Sequence, residues 1–212
     1  MNRRPIRTFA TATILLSALI VSELRANQHT FGVSGVVTSV DSPLGSQFAV
    51  GDTLQGTYTF DDADVDTYAP PDLGFYENPF ISATVPFSNG YSATYNSLAT
   101  SKLILVDNAG NPDLYEVFIP VNGPIVSGMS AQLFEFYLQD NQGAMLASDD
   151  LPTSPPNFAL AESAKGFLRF GNEQSQRFVY FDLVSLVPEP STATLLGVIA
   201  ALLLPMRRRF TG

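Results

Sequence analysis

The lack of cysteine and the near absence of histidine exclude several kinds of catalytic and metal site from this protein. The 212-residue sequence contains no cysteine, and its only histidine is His29. Disulfides, cysteine nucleophiles and cysteine-ligated zinc are therefore excluded. A serine nucleophile would need His29 as its base, and that residue lies beside the predicted N-terminal cleavage site. Glycine-rich phosphate loops are absent too, since neither Gly-x-Gly-x-x-Gly nor Gly-Lys-Ser/Thr follows a predicted strand.

Basic residues are also scarce in the middle of the chain. Between residues 27 and 187 there are four, Lys102, Lys165, Arg169 and Arg177, against eighteen acidic residues, a net charge of −14. A surface of this sign repels nucleic acid and anionic lipid, and it attracts divalent cations. We therefore expect no nucleic acid among the partners.

The first 26 residues have the pattern of a secretory signal peptide. A basic start with Arg3, Arg4 and Arg7 precedes an apolar stretch at 9–21, and Ala26 supplies the small residue required before a cut. We expect residues 1–26 to form a signal helix that is removed after export by the general secretion route. The domain that remains spans 27–187.

The C-terminal stretch 187–212 has three parts with separate physical roles. A proline-containing motif predicts a stiff, extended, exposed hinge, because proline continues neither a strand nor a helix. The apolar run 193–206 predicts a transmembrane helix, although at about 1.5 Å per residue it reaches only about 21 Å. A basic cluster predicts a cytoplasmic end. The motif and cluster residues are Val187, Pro188, Glu189, Pro190, Arg207, Arg208 and Arg209.

In order, spacing and position, these parts resemble the PEP-CTERM sorting signal of Gram-negative bacteria, which here covers 188–212. The resemblance implies cleavage near Pro188-Glu189-Pro190 by an exosortase, a membrane-embedded protease, while the protein passes transiently through the inner membrane. It also implies a host that makes exopolysaccharide, and a destination in the cell envelope or extracellular matrix. The alternative is a plain C-terminal tail anchor, which would favour about 20 apolar residues.

Between the two ends, apolar residues alternate with period two, as in half-buried β-strands, and helical periodicity is absent. Turn-forming clusters such as Ser88-Asn89-Gly90 separate the strands. We predict an all-β fold, an antiparallel β-sandwich of jelly-roll-like arrangement, flanked by the N-terminal signal helix and the C-terminal transmembrane helix. The predicted strands are 31–40, 53–60, 80–87, 91–95, 102–106, 114–121, 132–138, 166–170 and 177–186, with a further short one at 144–146.

The role of the domain is predicted only in outline. The stretches 35–40, 50–60 and 150–157 resemble other exported proteins with this sorting signal, a family largely without assigned activity. We expect a non-enzymatic structural or adhesive role associated with exopolysaccharide, and no cofactor unless the acidic loop described next binds Ca²⁺. The alternative is a secreted hydrolase that acts on polysaccharide with two carboxylates, although no pair of acids stands out.

An acidic cluster in the polar stretch 61–79 is a candidate metal site. Asp62, Asp64 and Asp66 repeat as Asp-x-Asp-x-Asp, which can direct carboxylates to one centre, and Ca²⁺ takes about six to eight oxygen ligands. Thr67 and Leu73, however, stand where an EF-hand requires glycine and bidentate glutamate. The alternative is a solvated acidic loop that keeps an edge strand soluble.

The same polar stretch carries three aromatic residues, Tyr68, Phe75 and Tyr76. Exposed aromatic planes can bind sugars, so these rings are candidates for a polysaccharide contact. We favour the alternative that they cap the core, and the absence of tryptophan weakens the case for sugar binding.

Overall fold

Ten β-strands dominate the computed structural model, which describes residues 28–68, 72–107 and 112–189. Two single-turn 3-10 helices, Leu44–Ser46 and Phe158–Leu160, are the remaining elements of that part of the chain. The strands are β1 (Gln28–Val40), β2 (Thr53–Asp61), β3 (Leu73–Glu77), β4 (Phe80–Pro86), β5 (Ser92–Tyr95), β6 (Lys102–Val106), β7 (Asp113–Asn122), β8 (Ala131–Asp140), β9 (Ser163–Phe170) and β10 (Arg177–Pro188).

The strands arise where the alternation of the sequence is strongest. In β2, Leu54, Gly56, Tyr58 and Phe60 are buried, while the residues between them are exposed or half-buried. Alternating burial of this kind is what a strand with one face on a core requires. The all-β class and the nine principal predicted strands are therefore confirmed.

Eight of the strands close into an antiparallel barrel made of β1, β2, β4, β5 and β7–β10. Hydrogen-bonded neighbours follow the order β7–β5–β4–β2–β1–β10–β9–β8, and β8 pairs again with β7 along Asp113–Pro120. The opposite side of β7 is shared, because its last two residues pair with β5 and its first half pairs with β6. β3 then adds to the free edge of β6.

The predicted β-sandwich is wrong. A sandwich consists of two separate sheets, whereas this ladder runs through eight strands and returns to its start. Alternating burial looks the same in both architectures, because each strand turns one face to the core. The difference lies in β7, which is long enough to contact β5 and β6 on one side and β8 on the other.

The predicted helices also need correction. Within 28–68, 72–107 and 112–189, no helix is long and apolar enough to cross a membrane. The fold class of the described residues is an all-β barrel, and the predicted transmembrane helix is not part of it. The segments on which the two helix predictions fell, 1–26 and 193–206, lie outside the described residues.

Two strand assignments differ from prediction as well. Residues 144–146 form no strand, because the backbone N–H groups of Met145 and Leu146 donate to the buried Asp113 carboxylate, at 2.8 and 2.9 Å, rather than to a neighbouring strand. The polar stretch 61–79, predicted to be irregular, contains β3.

Aromatic rings fill the interior of the compact unit His29–Glu189. Phe31 packs edge-on against Tyr58 and Phe60, with ring centroids 5.8 and 5.2 Å apart. The Tyr58 and Tyr115 hydroxyls form a buried hydrogen bond of 2.8 Å, and burial raises the pKa of both. The core is thus mainly apolar, with this polar pair satisfied internally.

Candidate functional site

The first residues of the predicted sorting motif continue β10 along β1. Val187 pairs with Gly32 and Pro188 with Phe31, and the Glu189 N–H donates to the Thr30 carbonyl at 2.9 Å. The prediction that the motif could not continue a strand is therefore wrong for Val187 and Pro188, which belong to β10. All three motif residues are exposed, as predicted. Pro190 and Arg207, Arg208 and Arg209 lie outside the described residues.

Pro188 fits the strand because of its place in the ladder. The hydrogen bond from Glu189 to Thr30 makes the next pair, Phe31 with Pro188, a non-hydrogen-bonded one, so the nitrogen of Pro188 faces away from β1. On that far side, the pairing of β10 with β9 has already ended at Asp182. The missing N–H therefore removes no ladder bond, as is usual for proline at a sheet edge.

The carboxylate of Glu189 lies over β1, next to Gly32. A Cβ atom at Gly32 would collide with the Glu189 carboxylate, so a side chain at that position would have to displace it. The lack of a side chain at Gly32 thus leaves the space that the Glu189 carboxylate occupies. The described part of the motif belongs to the folded unit rather than to a separate tail.

The three aspartates of the acidic loop are engaged separately. Asp62 accepts a hydrogen bond of 2.8 Å from His29 Nε2, and Asp64 accepts one of 3.1 Å from the Val65 N–H. One oxygen of Asp66 accepts the N–H groups of residues 68 and 75, at 2.8 and 2.9 Å. Among the described residues, no group of three or more metal-ligating side chains is assembled. Calcium binding stays a prediction.

The three aromatic residues of the same stretch are separated by the fold. Tyr76 is buried at 4% exposure, and its hydroxyl donates to the Asp149 carbonyl at 3.0 Å. Burial, followed by the charge of Asp66, raises the pKa of Tyr76 to about 12. Tyr68 is 53% exposed and Phe75 is half-buried. The preferred interpretation as core caps therefore holds for Tyr76 alone.

A surface that the sequence did not point to is formed by the outward side chains of β6–β10. We call it the outer face. Most of its members are half-buried because large neighbours cover one another. They are Lys102, Ile104, Glu116, Phe118, Leu133, Glu135, Tyr137, Phe167, Arg169, Phe178 and Tyr180.

Two glutamates lie in the middle of the outer face. Strand register sets Glu135 directly between Phe118 on β7 and Phe167 on β9. Glu116 pairs with Tyr137, two residues along β8 from Glu135, so the two carboxylates are diagonal neighbours. Burial, then the charge of Glu116, raises the pKa of Glu135 to about 7, against the lowering influence of Arg169. Burial also raises the pKa of Glu116.

A groove of about 400 Å³ opens on the outer face where β3 and β6 meet β7–β9. Its walls include Phe75, Phe118 and Leu133, and its charged lining residues are Lys102 and Arg169. The Lys102 ammonium lies 5.3 Å from the centroid of the Phe75 ring. Arg169 Nε is buried and has no hydrogen-bond partner within 28–68, 72–107 and 112–189. Apolar walls with a few charged groups are typical of small-molecule sites.

An aromatic cluster continues the outer face beyond the glutamates. Phe167 packs edge-on against Phe178 at 5.2 Å between centroids, and Phe178 stacks on Tyr180 at 5.4 Å. Tyr180 is 38% exposed, so one end of the cluster faces solvent. The outer face therefore combines aromatic planes, carboxylates and cations on neighbouring strands.

Only part of this site had a signal in the sequence. Glu116 and Glu135 each lie in the centre of a long predicted strand, with an aromatic residue two positions later. A charged residue there marks the outward face of the strand. Which carboxylates become neighbours depends on the register between β7 and β8, and no local pattern encodes it.

Comparison with known protein families, curated proteins and solved structures finds no significant match to this chain.

Proposed function

We propose that this chain is an exported protein of the Gram-negative cell envelope or extracellular matrix, sorted through its Pro-Glu-Pro motif by an exosortase during transient contact with the inner membrane. Its role is structural or adhesive, without enzymatic turnover, and its partner is exopolysaccharide. The proposal starts from the order of motif and arginine cluster in the sequence. The net charge of −14 over residues 27–187 would keep such a domain soluble outside the cell.

The observation that carries the proposal is the exposed end of β10. Val187, Pro188 and Glu189 are all exposed at the last strand of the barrel, where a protease can approach. Pairing with β1 holds the described part of the motif through the Glu189 N–H. Because proteases act on extended segments that are free of other pairing, a cut before Glu189 would require this part of β10 to leave β1, and we therefore expect the cut after Glu189.

The test is intact-mass measurement of the protein secreted by its native host. We expect the loss of residues up to about Ala26 and of the segment that carries the arginine cluster. A Glu189→Ala variant should accumulate uncut, while Glu173→Ala, which removes an exposed glutamate from the turn before β10, should be processed normally. Recovery of extracellular protein that retains Arg207–Arg209 would contradict sorting.

A second candidate, a carboxylate-dependent polysaccharide hydrolase, is favoured by one specific observation. Glu135 and Glu116 are diagonal neighbours on the outer face, and the pKa of Glu135 is raised to about 7. A carboxyl group that is protonated near neutral pH can donate a proton to a leaving sugar, while a second carboxylate assists. Sequence patterns alone had indicated no such pair.

The two candidates differ in turnover. Binding of polysaccharide with no release of reducing ends supports the non-enzymatic role. Release of reducing ends that is lost in both Glu135→Gln and Glu116→Gln supports the hydrolase. Glu173→Gln is the matched control, because it removes an acid of the same type from an exposed turn.

A further inference from the structure

The charge of the groove is opposite to that of the domain around it. Lys102 and Arg169 are two of only four basic residues in 27–187, against eighteen acidic ones. Both line the same groove, and none of its described lining residues is acidic. A cavity whose charged lining residues are all cations attracts an anion, even within a domain of net negative charge.

Arg169 lines the groove, and its charge also acts on Glu135, the neighbouring carboxyl group of the outer face. Its neighbours across the strands are Leu133 on β8 and Phe178 on β10, so apolar side chains flank the arginine stem. Its Nε is buried without a hydrogen-bond acceptor among the described residues. The residue as a whole is half-buried rather than buried, and an arginine guanidinium can pair with the two oxygens of a carboxylate.

The remaining walls suit a sugar ring. Phe75, Phe118 and Pro120 provide apolar surface, while Thr100 and Gln132 bring polar side chains to the rim. The volume of about 400 Å³ lies within the range of roughly 300–1,000 Å³ that small-molecule sites occupy. Aromatic planes pack against the C–H face of a pyranose, and polar rim groups meet its hydroxyls.

We propose that this groove binds a carboxylate-bearing sugar residue of an acidic polysaccharide. Arg169 binds the carboxylate through its planar fork, Lys102 supplies a second positive charge, and Phe118 packs against the ring. The inference rests on the proposed polysaccharide partner, and it does not depend on processing at the C-terminus.

Isothermal titration of the purified full chain with oligogalacturonate tests this assignment, with neutral glucose oligomers and poly-glutamate as comparison ligands. We expect oligogalacturonate to bind at least about tenfold more tightly than either comparison ligand. Arg169→Gln should weaken that binding about tenfold or more. Lys102→Gln should weaken it as well. Lys165→Gln is the matched control, since it removes a cation from the same face of β9 outside the groove, and should change affinity less than about twofold.

Equal affinity for neutral oligomers, equal affinity for poly-glutamate, or no binding at all would overturn the assignment. So would folded Arg169→Gln protein, checked by circular dichroism, that binds like the parent. If Arg169→Gln does not fold, Lys102→Gln decides in the same way. A normally processed protein that fails to bind overturns this inference alone, whereas an unprocessed protein that binds overturns only the sorting proposal.

Discussion

Replacing Glu135 by glutamine should change how stability depends on pH. The Glu135 carboxyl is half-buried between Phe118 and Phe167. Burial and then the charge of Glu116 raise its pKa from 4.5 to about 7. Between these two values the folded state binds more protons at this carboxyl than the unfolded state does, so stability falls as pH rises. The contribution is fully present below 4.5 and lost by about 7, the reverse of a salt-bridged carboxylate.

The size of the effect follows from the same values. A pKa rise from 4.5 to about 7, at about 1.4 kcal/mol per pH unit, sets a ceiling of about 3.5 kcal/mol. Solvent screens this half-buried group, which reduces the expected contribution to about 1 kcal/mol. Glu135→Gln removes the titration while keeping the shape of the side chain.

Urea unfolding between about pH 4.5 and pH 8.5 measures the difference. We expect the wild-type protein to lose about 1 kcal/mol more than Glu135→Gln over this range. The pKa of Asp140 is lowered by the N–H groups of Gln142 and Ala144, and that of Asp107 is raised by burial. Both contribute equally to the two proteins and cancel in the comparison.

The variant Glu116→Gln provides a directional check. Because the charge of Glu116 raises the pKa of Glu135, removing it should shift the pH-dependent loss of stability to lower pH. Glu173→Gln, in the exposed turn before β10, should behave like wild type. The same pH slope in wild type and Glu135→Gln would refute the reasoning.

Three further predictions concern the core and the acidic loop. Tyr58→Phe and Tyr115→Phe should each destabilise the fold by about 1–2 kcal/mol in urea unfolding, and the double variant by less than their sum, since each single change strands one buried hydroxyl. Asp113→Ala should cost about 3 kcal/mol in the same assay, because two backbone donors at 145–146 lose their acceptor. If the predicted calcium site forms, Ca²⁺ should raise the melting temperature more than Mg²⁺ does, and Asp64→Ala should abolish that difference. Equal shifts for the two ions, or an Asp64→Ala variant that responds like the parent, would leave the loop as a solvated acidic loop.

Much of the fold could be predicted from the sequence because burial alternates within each strand. Leu54, Tyr58 and Phe60 share one face of β2, and their spacing alone shows this. Closure of the barrel could not be predicted, since it depends on β7 pairing with β5, β6 and β8 at once. That arrangement depends on how β5, β6 and β8 are placed relative to β7, and the alternation of residues within β7 does not indicate it.

β3 shows how a tertiary contact can override local composition. Aspartate, proline and glycine dominate the stretch around it, and such residues usually mark loops. Two contacts from outside β3 nevertheless hold it extended, namely the ladder with β6 and the bond from the Phe75 N–H to Asp66. The carboxylate of Asp66, a candidate metal ligand, therefore also holds a strand in place.

The site was harder to predict than the fold, because its chemistry arises between strands. Glu135 is an ordinary outward residue in β8 when β8 is considered alone. It acquires a raised pKa because register puts Phe118, Phe167 and Glu116 around it. Arg169 likewise became a candidate ligand-binding residue only because it lines the groove, and its neighbours in sequence gave no sign of this.

Pairing between β1 and β10 bears on where the proposed cleavage can fall without loss of contacts. A cut before Pro188 would remove the partner of Phe31, a core residue that is 1% exposed, together with the bond from Glu189 to Thr30. A cut beyond Glu189 keeps both contacts and leaves the Glu189 carboxylate beside Gly32. Because the described lining residues of the groove lie on β3, on β6–β9 and in the 99–100 loop, and not on β1 or β10, the later cut should leave the proposed sugar binding unchanged. Gly32→Ala should therefore disturb the processed end while oligogalacturonate affinity stays within about twofold, because an added Cβ displaces Glu189 and touches nothing in the groove.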